Sequence, residues 1–497
     1  MSTIQADDKM GSGEESVVDR TSRNEDDQVL GLELTPARAR RLVLKTDFVV
    51  MPLAVLSMTL AFLDKNALGY AAVLGIKTDA HLHGQQYSWL SSIFYFGYLA
   101  MEFPNLWLMT RLPMGKYVGS CLTIWGALIC VMAACHSFTS LAAVRFLLGV
   151  FEAAILPCMM LLNSMWYRRE EQPLRTAFWY NTFAGVFGGI LSYAIGKIDG
   201  PLSTWRYIFL IYGAVTVLCG GLFILAMPDS PSKAWFFTAQ EKELAVVRLA
   251  SNQTGVDSKR SFESSQIWEA ARDPKCYCIW ICALGYAVAN AGITNFNPLI
   301  ISGYGFSSTK TTLMATPQAA VAMTSQAILT AITFFVPNLR CIFWVASSLV
   351  GLVGALMVHL LNIETQRDAS LAGVYLMGFY NVPWVFMLSL SSSNTAGATK
   401  KSFMGISVAV VYAVGNIIGP QFFLDEQSPT YPLGIGSMLC AFAVMSVAGL
   451  AYYVFCVLEN RRRNMLQLRS NEGTVNDLDV NDQDLTDWEN LAFRYTY

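Results

Sequence analysis

Charge is what this sequence has least of. Only 14% of its 497 residues are Asp, Glu, Lys or Arg, against 54% that are apolar. A soluble domain carries about a quarter charged residues, so the deficit excludes water as the solvent for most of the chain. The formal net charge is -2, which leaves no basic excess for binding nucleic acid. Histidines number 4, and there is no metal-ligand cluster, nucleophile motif or nucleotide loop. Neither enzymatic chemistry nor a cofactor is therefore expected. The 11 cysteines are scattered. The tightest pair, Cys276 and Cys278, has one intervening residue, which suits neither a zinc site nor a redox dithiol. They read as small buried hydrophobes. Residues 1–46 contain no apolar signal core, so the first hydrophobic helix is expected to remain as a permanent span.

What the chain does have is long apolar runs. A helix needs about 20 such residues to cross a bilayer. Twelve segments qualify: 47–76, 88–110, 117–136, 138–164, 176–197, 205–227, 275–302, 310–335, 341–361, 369–392, 402–424 and 432–458. The predicted fold is an all-α membrane protein of twelve transmembrane helices in two six-helix pseudo-repeats. A disordered tail, 1–46, precedes the first bundle, 47–227. A polar loop, 228–274, leads to the second bundle, 275–458, and a polar tail, 459–497, follows. Lys and Arg placement sets the orientation. One set of loop ends collects Arg38, Arg40, Arg41, Lys45, Arg111, Lys116, Arg168, Arg175, Arg340, Lys400, Lys401, Arg461, Arg462 and Arg463, while the other holds Lys77, Lys197, Lys310 and Arg367. Both tails and the 228–274 loop are expected in the cytoplasm. The sequon at Asn252 then lies on the wrong side for glycosylation.

The halves look related. At an offset of 230 positions, Leu141–Arg145 falls on Leu371–Tyr375, and Gly185 and Gly189 fall on Gly415 and Gly419. Asp64-Lys65 falls on Thr294-Asn295. Six-helix repeats with a site between them near the midplane are how many secondary transporters are built.

Four charges stand where lipid should be. Between the uncharged stretches Phe48–Leu63 and Ala67–Ile76 lie Asp64, Lys65 and Asn66. Neither stretch spans comfortably alone, so a single helix with the triplet inside is expected. An ionised group at the bilayer centre costs at least about 2.5–3.5 kcal/mol, so it must face a cavity or a partner. Arg145 and Glu152 sit two turns apart on the fourth span, on one face. They are expected at the depth of the triplet, with Asp64–Arg145 or Lys65–Glu152 as possible structural pairs. Glu102, one turn from Tyr98, is expected to pair with a loop arginine such as Arg111. Asn290, Asn295, Asn297, Gln318, Gln326, Asn381, Asn394 and Asn416 should join helices or line a cavity. The first half thus holds the ions, and the second supplies shape and hydrogen bonds.

Several segments together carry a family signature: Phe62–Leu68 (FLDKNAL), Arg145–Glu152 (RFLLGVFE), Ser164–Arg175 (SMWYRREEQPLR), Phe187–Tyr193 (FGGILSY), Met227–Pro231 (MPDSP) and Val414–Gln421 (VGNIIGPQ). They resemble the major facilitator superfamily, its anion:cation symporter branch, and the fungal allantoate permease family within it. Residues 396–401 depart from that family in having Ala398 where it has histidine. The resemblance implies proton-coupled uptake, at the plasma membrane, of a small organic anion such as allantoate, a ureide, a vitamin acid or a small peptide. It also implies that Lys65 and Arg145 hold substrate carboxylate, with Tyr98 as the aromatic position, and that Asp64 and Glu152 handle protons. Asn295 and Tyr375, opposite Lys65 and Arg145 in the repeat, are the second-half candidates for substrate. The implied partners are the anion, protons and the lipid bilayer, with the monomer as working unit. Export of a secondary metabolite and nutrient sensing on the same fold are the alternatives.

Overall fold

A computed structural model describes residues 35–168, 170–180, 183–250, 263–336, 338–469 and 485–497. The chain is all-helical with twelve spans, as the apolar runs predict. The first span is one helix, Pro36–Val73, that carries Asp64, Lys65 and Asn66 in its interior without a break. It begins well before residue 47, which corrects the expected tail boundary. Pro36 occupies the first turn, where its missing N–H costs nothing, and Thr35 Oγ1 accepts from the Arg38 amide at 3.4 Å. Leu42 and Thr46 are buried on this extension.

The remaining spans of the first bundle are Gln86–Arg111, Met114–Met132, Phe138–Glu152 continued by Ile155–Trp166, Gln172–Trp179 continued by Phe183–Ile195, and Thr204–Ala226. Those of the second are Pro274–Ser302, Ser308–Met314 continued by Thr316–Phe335, Arg340–Leu360, Arg367–Leu376 continued by Asn381–Asn394, Ala398–Ile418, and Pro432–Arg469. The offset of 230 positions carries each first-half span onto its second-half counterpart. Among the described residues, nine helices are long and apolar enough to cross a membrane by themselves. The second span misses that mark, diluted by Glu102, Asn105 and several Ser and Tyr residues.

The loop between the bundles is shared by them. Its helix Ala239–Ala250 is tied to the first bundle by the Lys45–Glu241 ion pair at 2.7 Å and by Arg248 with Glu171. Its helix Ser264–Arg272 is tied to the second, where Lys400 pairs with Glu269 at 2.7 Å. The expected disordered stretches fall partly outside the described residues, at 1–34 and 470–484, as does the sequon at Asn252. The terminal segment 485–497, by contrast, is docked on the second bundle. Asp487 meets Lys275 at 2.5 Å and Lys400 at 2.7 Å, and Arg463 donates to the Asp487 carbonyl at 2.8 Å. Two buried lysines need anions; Asp273 lies 3.4 Å from Lys275 and 3.2 Å from Lys400, and the tail adds Asp487.

The seam between bundles is sealed at the end away from the termini. There Tyr87 donates to the Asn295 carbonyl at 2.8 Å, Ser88 to Phe423 O at 3.1 Å, and Ser92 to Ile417 O at 2.6 Å. Lys77 pairs with Asp425 at 2.5 Å. Small residues let the backbones close: a Cβ on Gly189 would stand 2.2 Å from Thr316 Oγ1, and one on Gly69 would stand 2.8 Å from Thr294 O.

Candidate functional site

The second and fourth spans cross so tightly that glycine is required on both. A Cβ on Gly97 would lie 2.0 Å from Phe146 O, and one on Gly149 would lie 1.9 Å from Phe94 O. This crossing puts Arg145 and Glu152, on either side of Gly149, against the polar triplet of the first span. Lys65 Nζ lies 3.3 Å from Glu152 Oε1. Asp64 is fully buried and accepts from Trp125 Nε1 at 3.2 Å. Arg145 is the principal charge facing it, with Lys65 beyond. The four ionic residues expected at one depth lie within electrostatic range of one another, and Lys65–Glu152 is the pair within ion-pair distance.

The site is incompletely satisfied. Arg145 is 3% exposed, yet its Nε and Nη2 find no hydrogen-bond partner; nor do Asp64 Oδ1 and Glu152 Oε2. A buried donor left unmade costs about 1–3 kcal/mol, more on a charged group, so each asks for an explanation. Arg145, Lys65, Ser91, Phe94, Tyr95, Thr294 and Asn295 line a cavity of about 20 Å³ between the bundles. That is room for roughly one water. Chemically, it offers two cations, one with a bidentate fork, to an anionic group entering from the seam.

The other candidates divide. Asn295 lines the cavity and donates to Ala291 O at 3.1 Å. Tyr98 lies within electrostatic range of Lys65, Glu102 and Glu152, with its ring 6.4 Å from that of Tyr95. Tyr375 is elsewhere. Its titratable neighbour is Tyr304, which lines a separate cavity of about 460 Å³ near His359 and Glu364. The repeat places Tyr375 on the counterpart of the fourth span, but its side chain is not among those that line the central cavity. Glu102 does not pair with Arg111: its Oε2 has no partner, and the Arg111 guanidinium lies 6.0 Å from the Trp107 ring centre. The amides mostly join helices. Asn290 donates to Asn416 at 2.9 Å, Asn297 to Gln318 at 3.1 Å, and Asn381 to Gln326 at 2.6 Å. Asn394 donates to Tyr452 at 2.8 Å.

Sequence reasoning missed the aromatic surround. Tyr95, Tyr180, Tyr380 and Tyr412 all stand within electrostatic range of Lys65. Behind Tyr412 the rings of Tyr286, Tyr380 and Trp384 are stacked. The available signal was spacing: Tyr286 precedes Asn290 by four, Tyr380 precedes Trp384 by four, and Tyr412 precedes Asn416 by four. Each pair thus shares one helix face. Among the described residues, no group of three or more His, Cys, Asp and Glu is arranged to hold a metal.

Comparison with known proteins agrees with this geometry. Residues 54–420 match the family model of the Major Facilitator Superfamily. An uncharacterized transporter of Schizosaccharomyces pombe is 35% identical over 467 residues, covering 93% of this chain and 88% of its own. The allantoate permease of Saccharomyces cerevisiae is 32% identical over 482 residues, covering 94% and 88%. The crystal structure of a D-xylose-proton symporter superposes with a TM-score of 0.62 at 11% identity, covering 82% of this chain and 97% of that one. At that identity the likeness is one of fold.

Proposed function

Because the chain belongs to the Major Facilitator Superfamily, we propose that this transporter takes up a small organic anion with protons, by alternating access. Cargo of the allantoate, ureide, vitamin-acid or small-peptide kind fits the reading. The end carrying the termini faces the cytoplasm, and the monomer works in the plasma membrane. The observation that carries the proposal is Arg145: a guanidinium 3% exposed, beside Lys65 on an inter-bundle cavity, with two nitrogens unpartnered. A permanent ion-pair lock would have satisfied it.

Coupling follows from competition. Lys65 holds Glu152 in the empty site. An anion that takes Lys65 removes the cation that favours ionised Glu152, and burial then favours the protonated acid. Asp64, held by Trp125 and facing Arg145, stays as the fixed charge. Cargo and proton are linked without touching. Uptake of labelled carboxylates into membrane vesicles, with and without an inward proton gradient, tests this. Gradient-driven accumulation is expected. Accumulation driven only by an outward gradient marks an exporter, and binding without flux marks a sensor; either result overturns the proposal.

A further inference from the structure

The charged residues account for only one wall of the site. The second bundle lends Thr294 and Asn295 to the cavity, and its Tyr380 and Tyr412 stand within electrostatic range of Lys65. Tyr286 of the seventh span lies between two rings of the tenth: Tyr380 at 5.5 Å and 7° between planes, and Trp384 at 4.5 Å and 13°. Tyr412 of the eleventh span continues the series, 6.1 Å from Tyr286 at 25°. Tyr286 is therefore close to parallel with rings from the tenth and eleventh spans, while Trp384 and Tyr412, 5.3 Å apart, are tilted at 38°. Edge-to-face contacts are the commoner way to fill a core, and most aromatic pairs elsewhere in this chain are of that kind, for example Tyr87 with Phe296 at 88° and Trp205 with Phe209 at 78°.

Three features set this stack apart from packing within one bundle. It reaches across the seam: Tyr412 meets Tyr95 of the first bundle at 6.0 Å, and Lys65 is within electrostatic range of both Tyr412 and Tyr380. Its outer members, Tyr380 and Tyr412, are only half-buried, while Tyr286 and Trp384 behind them are buried. Finally, the stack is braced from behind. Tyr286 donates to Asn381 Oδ1 at 3.0 Å, Asn381 donates to Gln326, and Asn416 accepts from Asn290, whose amide also reaches the Tyr412 hydroxyl at 3.4 Å. Side chains held by such a second layer are preorganised, as binding surfaces require.

We infer that this stack is the subsite that reads the body of the cargo, and that it selects a planar, conjugated carboxylate over a saturated one. The inference rests on the anion reading above. The carboxylate is held by Arg145 and Lys65 on the first bundle. The flat body lies against Tyr380 and Tyr412 on the second, parallel to the rings behind. Offset stacking adds to simple area burial, whereas a puckered ring of the same size touches the wall only at its edge. Because the two recognition elements sit on different bundles, cargo of this shape bridges the seam, as a substrate that drives closure must.

The test uses the full chain, purified in lipid nanodiscs, with benzoate and cyclohexanecarboxylate as probes. The two acids carry the same charge and nearly the same bulk and differ in planarity. Titration calorimetry is expected to give benzoate at least about fivefold tighter binding, the scale of one or two stacking contacts. Tyr380→Leu should abolish the preference and Tyr380→Phe retain it, while Lys65→Gln should weaken both acids alike. If Tyr380→Leu fails to give a monodisperse protein, Tyr412→Leu, also at a half-buried position, is read in its place. Equal binding of the two acids overturns the aromatic subsite and leaves the anion reading standing. Binding of neither acid to the unaltered chain overturns both. A preference that survives removal of the ring places selectivity elsewhere and also sinks the inference.

Discussion

At the scale of single residues, the proposed transport depends on charges that are not fully matched. Lys65–Glu152 is a buried pair, and such pairs contribute little net stability against desolvation. On the proposed mechanism their value is exchange of partners. Lys65→Ala and Arg145→Ala should each cut uptake by at least about thirtyfold, in line with the roughly 2–5 kcal/mol lost when a buried charge contact is truncated. Surface expression should stay intact, because Glu152 can protonate when Lys65 goes and Asp64 keeps Trp125 when Arg145 goes. Uptake at the wild-type rate by either variant would make that residue structural at most. Glu152→Gln mimics the protonated acid. It should still exchange labelled for unlabelled cargo across the membrane but lose accumulation driven by a pH gradient. If it still concentrates cargo when protons flow inward, the coupling site is not Glu152, and Asp64 becomes the next residue to test.

At the scale of elements, helix crossings hold these residues in place, and here legibility varies. Asp64, Lys65, Arg145 and Glu152 could be found because an ion inside an apolar run violates the local rule. The six-and-six division could be found because the polar segment 228–274 splits the apolar runs, and matches at one offset relate the halves. The aromatic stack could not, since a Tyr or Trp in a membrane helix looks the same whether it faces lipid, core or cargo. Tyr375 misled because repeat arithmetic carries position but not chemistry. The docked tail was hidden in polar composition: Asp487 finds Lys275 more than 200 positions away, and no local pattern encodes that. Gly149 and Gly97 read only as frequent membrane glycines, although their crossing tolerates no Cβ. Gly149→Ala should lower stability by about 1–3 kcal/mol, the usual cost of overpacking, whereas Gly221→Ala, with open space around it, should be neutral; thermal melts of the purified proteins compare them. The tail makes a pH prediction. Burial pushes the Asp487 carboxyl up, but the charges and hydrogen bonds of Lys275 and Lys400 outweigh it and hold the group below its ordinary value of 3.8. A depressed carboxyl contributes stability above its unfolded value and loses it only as pH falls through the lower folded one. Docking of 485–497 should therefore be unchanged between about pH 7 and about pH 5, and Asp487→Asn should free the segment throughout. Hydrogen exchange over residues 485–497 reads this out, and a tail that loosens steadily across that range would refute it.

At the scale of the whole molecule, alternating access requires that the sealed end be able to open. Its bonds are of a kind that permits this. Ser88, Ser92 and Tyr87 each give one hydrogen bond to a carbonyl of the other bundle, and water can replace any of them at a net cost of about 0.5–1.5 kcal/mol. The Lys77–Asp425 pair is partly exposed on both sides, 22% and 33%, so screening limits it to about 1 kcal/mol or less. A few such contacts, with close-packed glycines behind them, make a seal worth a few kcal/mol. That is the range in which binding energy of a bridging cargo can tip a two-state balance. Removing one latch should therefore shift the equilibrium without breaking the fold. Asp425→Asn should raise the outward-open population by up to about fivefold, the equivalent of about 1 kcal/mol. The exchanged pair, Lys77→Asp with Asp425→Lys, should restore the balance. The measurement is the rate at which an impermeant thiol reagent added outside modifies Ser88→Cys, a position covered by Phe423 in the sealed state, each variant being compared with the same cysteine in the unaltered background. Faster modification in Asp425→Asn and recovery in the exchanged pair would establish the ion pair as a latch. Equal rates in all three would mean that the hydrogen bonds and the glycine contacts hold the seal alone, and that the charge at the rim serves the approach of the anion instead.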